Sequence, residues 1–155
     1  MTRTAEAIST TSDVATKLRA LNWQKIAMLY VRIALAAAFL SAVGSRFGMY
    51  GKDVGWGNFE NITKYTAEVN SFMPSWTIPY IAWIATAAEV FFALGLLVGK
   101  WPRWIALGTA LLLGLFGTAM AISFGIRSPL DYSVFSASAA AFLLAVHESP
   151  KSSTA

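Results

Sequence analysis

The chain has 155 residues, 56% of them hydrophobic and 13% charged, with a mean hydropathy of +0.55, a formal charge of +4 and no cysteine. That is one domain's length with too few polar residues to cover a soluble globule, so the bilayer is its natural solvent. The absence of cysteine excludes disulfides, thiolate metal sites and thiol nucleophiles, the single histidine leaves no multi-histidine metal or haem site, and the basic residues lie mostly beside apolar runs, where they read as topology signals rather than as a nucleic-acid surface.

Residues 1–25 are rich in Ser, Thr and Ala and lack the apolar centre of a cleavable signal peptide, so they are expected to persist as a cytoplasmic tail. Val14, Leu18 and Leu21 recur at i, i+4 and i+7 beside Lys17 and Arg19, with Trp23 following. The pattern suits a short helix at the membrane interface, and equally a solvated tail.

Four apolar stretches follow, at 26–43, 78–98, 104–124 and 130–146. A hydrocarbon core about 30 Å thick asks for about 20 helical residues, which the second and third supply and the first and fourth approach. The expected fold is therefore all-α, an integral membrane four-helix bundle over 26–146. Outside the spans, Arg3, Lys17, Arg19, Lys25, Lys100, Arg103 and Lys151 share one side, against Arg46, Lys52, Lys64 and Arg127 on the other. That asymmetry places both termini, including the tail 147–155, in the cytoplasm. Aromatic anchors agree, with Trp23, Trp101 and Trp104 inside and Trp76, Tyr80 and Tyr132 outside.

The external segment 44–77 is too long for a plain connection between helices. Its Gly- and aromatic-rich start, GSRFGMYGKDVGWGN, predicts a structured loop. Phe59, Ile62, Tyr65, Val69 and Phe72 then trace one apolar face, predicting an amphipathic external helix over 58–72 that ends before Pro74 and Pro79.

Two spans enclose an ionisable residue, Arg32 in the first and Glu89 in the second. Such groups cost a few kcal/mol on insertion scales unless they find a partner or a water-filled cavity. Measured from the cytoplasmic ends of their helices, Arg32 lies roughly 9 Å in and Glu89 roughly 14 Å, within reach of a guanidinium, so the two are expected to pair. The pair either fixes helix register or serves as a site in which Glu89 relays a proton or holds a polar headgroup. Ser45, Arg46, Arg127, Ser128, Asp131, Tyr132 and Ser133 gather at the outer ends; Arg46 returns to within roughly 40° of the Arg32 face, which allows a polar column, and Asp131 is placed to cap the fourth helix. Gly95 and Gly99 form a GxxxG, Ser136, Ala137, Ala139, Ala140 and Ala141 offer a small-residue packing face, and His147 beside Glu148 reads as an exposed interfacial residue. Thr109, Thr118 and Ser123 can satisfy themselves on their own helix carbonyls. The site candidates are Arg32, Glu89, Arg46 and Asp131, with no catalytic residue and no metal ligand among them.

The first helix with YVRIALAAAFLSAVGSRF, the outer amphipathic segment ending near Pro79, and AAEVFFALGLLVGKWPRW resemble the DoxX family of small four-helix bacterial membrane proteins, over about residues 29–146. The resemblance is strongest at Glu89, Gly95, Gly99 and Lys100, then at Arg32 and at Gly44, Ser45 and Arg46; the family often has Lys near that last position, so Arg46 is a charge-preserving departure. The family is functionally mixed: its name comes from a relative of the small subunit of a thiosulfate:quinone oxidoreductase, and other members are linked to membrane-associated oxidoreductase complexes and to oxidative-stress resistance. The expectation is a membrane-embedded accessory subunit of a quinone-linked system, with no covalent cofactor, a quinone as ligand, a redox protein and the lipid bilayer as partners, no nucleic acid, and homo-oligomerisation left open. The alternatives are a small-molecule or lipid transporter and a non-catalytic membrane anchor.

Overall fold

The computed structural model describes residues 2–51 and 53–148, with side chains from Trp23 onward. The proposed interfacial side chains Val14, Lys17, Leu18, Arg19 and Leu21, together with Arg3, Lys52 and Lys151, lie outside the described residues or side chains. No strand occurs among the described residues. Helix α1 runs Thr2–Arg46, α2 Phe59–Val69, α3 Ile78–Val98, α4 Pro102–Phe124, α5 Arg127–Asp131 and α6 Val134–His147, with a 3-10 turn at Ser75–Thr77 leading into α3. Three stretches, Trp23–Arg46, Ser75–Val98 and Pro102–Phe124, are long and apolar enough to cross a membrane. Their outward faces carry exposed Ile, Leu, Phe and Trp side chains, as a bilayer requires.

The fourth apolar run is not the single helix expected over 130–146. Ser133 takes a left-handed backbone conformation (φ 54°), which separates α5 from α6. What remains is a 14-residue α6, only about 21 Å long. Asp131 ends α5 instead of capping α6.

Around the bundle, α1 packs on α3, α3 on α4, α4 on α6 and α6 back on α1, with α4 and α6 in the most extensive contact. Small residues permit these approaches. A Cβ on Gly117 would meet the Phe135 ring at 2.7 Å, and Ser138 donates to the Ala110 carbonyl across the same interface. The packing face of α6 holds Ala137, Ser138, Ala141 and Ala145, while Ser136 and Ala139 point outward. Helices α3 and α4 press together beside their shared turn, where Gly95 accommodates Ile105 and Gly108 accommodates Phe92. The GxxxG motif thus works within the chain: Gly95 receives α4, and Gly99 (φ 71°) ends α3 in the left-handed conformation that suits glycine.

The register between α1 and α3 decides which buried charges can meet. A Cβ on Gly99 would stand 2.9 Å from Arg32 Nη1, so the Arg32 guanidinium is level with the α3–α4 turn. Arg46, fourteen residues on, is about 21 Å higher, level with Thr86 and Glu89. Helix α1 therefore stops well short of the start of α3, and the loop and α2 fill the space over its end.

That cap is tightly organised. Ser45 Oγ accepts from the Trp56 amide (2.8 Å), and a Cβ on Gly55 (φ 64°) would fall 2.1 Å from the same oxygen, so only glycine fits there. Asn58 caps α2 by accepting from the Asn61 amide (2.9 Å), while the Asn61 side chain donates back to the Trp56 carbonyl (2.8 Å). Ile62 and Val69 are buried, Phe59 stacks on Trp83 of α3, and Trp56 lies against Tyr65. The helix ends at Val69, earlier than expected, where Asn70 leaves helical backbone angles (φ −112°, ψ 41°) and its side chain donates to the Thr66 carbonyl (2.9 Å); Phe72 is left exposed.

Candidate functional site

The buried charges meet where α1 ends. Arg46 is in the last turn of α1, where exposed carbonyls favour a cation and helical side chains lean back toward the N-terminus, into the bundle. The inner stripe of α3, Ala82, Thr86, Glu89, Ala93 and Leu96, repeats at helical spacing and is buried throughout. Small neighbours on that stripe leave room for the guanidinium. Arg46 Nη2 donates to Glu89 Oε1 (2.7 Å) and Nη1 donates to Thr86 Oγ1 (2.7 Å). Thr86 in turn donates its hydroxyl to the Ala82 carbonyl (2.8 Å), so its lone pair is fixed toward the arginine. Arg46 is 7% exposed and Glu89 3%.

Among the described residues, two polar atoms of this cluster find no hydrogen-bond partner: Arg46 Nε and Glu89 Oε2. Oε2 lies 2.7 Å from Arg46 Nη1, an ion-pair contact whose alignment does not make a hydrogen bond. A buried donor and a buried acceptor thus remain unsatisfied, an unfavourable state that a ligand or a water relieves. Both residues line a cavity of about 200 Å³ roofed by α2 and walled by α3 and α4, whose other lining groups include Trp56, Tyr65, Phe116 and Met120. The lining is predominantly apolar apart from the charged pair. Burial, followed by the neighbouring Tyr132 and Glu68, holds the Tyr65 phenol above its ordinary 10.0, so it stays protonated at neutral pH.

The expected pairing of Arg32 with Glu89 is corrected. Arg32 bonds Glu148, just past the end of α6, at the far end of the bundle. The register explains the difference: taking Ile26 and Val98 as level places α1 too high by about 10 Å against α3. The polar column from Arg32 to Arg46 is accordingly two separate ion pairs. Asp131 joins neither, being exposed and paired with Arg127 (3.2 Å) one turn away on α5. Ser123 does not satisfy itself within α4 but donates to the Val69 carbonyl of α2 (2.6 Å). Thr109 and Thr118 do bond their own helix carbonyls. On the exposed face of α2, Lys64 holds the Glu60 carboxyl below its usual range, a surface pair remote from the cavity.

Thr86 and Glu148 are the members that sequence reasoning passed over. Thr86 precedes Glu89 by three residues and shares its helical face, a legible signal; nothing local marks Glu148 as the partner of Arg32.

The DoxX family model matches residues 27–124, a stretch that contains Arg46, Thr86, Glu89 and the cap and leaves out α5 and α6. No curated protein and no solved structure is significantly similar to the chain.

Proposed function

The chain belongs to the DoxX family of membrane proteins, and from that premise we propose that it is a membrane-embedded accessory subunit of a quinone-linked oxidoreductase system, holding a quinone headgroup at Arg46 and Glu89. The observation that carries this reading is the pairing of an apolar cavity with one unsatisfied N–H donor and one unsatisfied carboxylate oxygen at its charged wall. A quinone presents carbonyl oxygens that accept hydrogen bonds, and its reduced form presents hydroxyls that donate them. Arg46 Nε–H suits the first and Glu89 Oε2 the second. The apolar walls suit the ring and tail, and the surrounding low dielectric strengthens both polar contacts.

When bound, a quinone supplies the electron-transfer chemistry. The protein's share is orientation: Thr86 steadies the guanidinium, the guanidinium steadies the carboxylate, and α2 keeps bulk water away from both. Electrons then come from a partner protein in the same membrane. In this reading the protein sits in the bacterial inner membrane with both termini cytoplasmic, which the seven-to-four distribution of basic residues supports. The cavity accordingly lies toward the non-cytoplasmic side.

The test is native mass spectrometry with quinone extraction on protein purified gently from its own membrane, wild type beside Glu89→Gln. The expected result is a quinone that accompanies wild type and is lost from a folded Glu89→Gln protein. Retention of a protein partner by both forms with no small molecule in either would make the chain an anchor, and substrate flux in reconstituted vesicles would make it a transporter.

A further inference from the structure

At the opposite end of the bundle, a second cavity of about 270 Å³ lies between α1 and the end of α6, lined by Lys25, Met28, Leu29, Arg32, His147 and Glu148. It opens where α6 ends against α1. Lys25 and Arg32 are seven residues apart, two turns along one face of α1, and α6 finishes beside the second of them. The Arg32 guanidinium has five N–H donors; one goes to Glu148, and no other hydrogen bond is made among the described residues. Its depth is set by the adjacent turn. Gly99 is level with it, and the same turn carries exposed Trp101 and Trp104, with Lys100 and Arg103 lying over their rings at 5.1 and 5.6 Å. Exposed tryptophans covered by basic side chains mark the headgroup layer of a bilayer, where lipid phosphates reside.

We infer that this notch binds the phosphodiester headgroup of an anionic phospholipid. Glu148 offsets Arg32, leaving Lys25 as one net positive charge, which a single phosphodiester balances. The phosphate oxygens take the free N–H groups of Arg32 and the Lys25 ammonium, with His147 as a further donor at the rim. Met28 and Leu29 form the apolar floor against which the first acyl carbons lie. A choline headgroup fits less well, because it brings its own cation beside Lys25. The site is separate from the Arg46–Glu89 cavity and does not rest on the quinone reading.

The experiment is native mass spectrometry of the delipidated full chain titrated with phosphatidylglycerol, phosphatidylcholine or inorganic phosphate. Variants are the double Lys25→Gln, His147→Gln, which spares the Arg32–Glu148 pair, and the double Lys100→Gln, Arg103→Gln as a basic control on the neighbouring turn. Circular dichroism confirms folding of each. The expected result is a first phosphatidylglycerol bound about tenfold more tightly than phosphatidylcholine, an affinity lowered about tenfold by the Lys25/His147 variant and unchanged by the Lys100/Arg103 variant. Inorganic phosphate is expected not to compete. Equal binding of the choline lipid, an unaffected Lys25/His147 variant, or an equal loss in the control would overturn the proposal, and effective competition by phosphate would reassign the notch to a soluble anion.

Discussion

At the scale of the residue, the Arg46–Glu89 pair is better understood as a specification of register than as a source of stability. Removing two charges from water costs about as much as their attraction returns, whereas removing one partner strands the other in an apolar interior. Arg46→Met and Glu89→Leu should each destabilise the protein by about 3–5 kcal/mol, while the double variant loses far less than their sum; unfolding in mixed micelles, read as a double-mutant cycle, checks this. The same residues show how far sequence carries. An arginine and a glutamate inside apolar runs announce themselves in any hydropathy pattern, and so does the hydroxyl of Thr86 one turn from Glu89. The identity of the arginine that meets Glu89 is not legible, because rise per residue gives position along each helix but not the offset between helices. The offset shows in the close approach of Arg32 to Gly99, residues 67 positions apart in the sequence. Asp131 departs from expectation for a different reason: the left-handed turn at Ser133 has no mark in the residue type.

Among the elements, α2 depends on few attachments to α4, and Ser123 supplies a direct one. Its hydroxyl donates to the Val69 carbonyl (2.6 Å) and lies 3.2 Å from Ser71 Oγ, so it ties the end of the cap to the end of α4. A hydrogen bond of this kind contributes about 1 kcal/mol net. Ser123→Ala should therefore speed hydrogen exchange of the last α2 amides roughly fivefold while leaving α3 and α6 unaffected, as mass spectrometry of exchanged peptides would show. The existence and apolar face of α2 are readable from the spacing of Phe59, Ile62, Tyr65 and Val69, because an amphipathic helix writes its period into the chain. Its end is not readable, since the Asn70 side chain closes the helix on Thr66 where periodicity alone continues to Phe72.

For the whole molecule, unequal helices against a sheet of uniform thickness have a mechanical consequence. Helix α4, with 23 residues, rises about 35 Å, while α6, with 14, rises about 21 Å. The bilayer beside α6 must thin to match it, at a modest cost for each ångström of mismatch. Thermal stability should therefore fall as the acyl chains of a reconstituting lipid are lengthened, and inserting one helical turn into α6 should reduce that dependence; melting followed by circular dichroism in vesicles of short and long lipids tests it. The offset of α1 from α3 also orders the birth of the protein. Arg46 is made 43 residues ahead of Glu89, a lead of roughly 2 to 9 seconds at ribosomal speeds. Throughout that interval its guanidinium has no carboxylate to meet and must wait at the membrane surface, where a long basic side chain can still reach water. Only the arrival of α3 draws it inward, so the α1–α3 hairpin closes first, with Arg46 and Glu89 already paired, while Arg32 meets Glu148 only when α6 arrives.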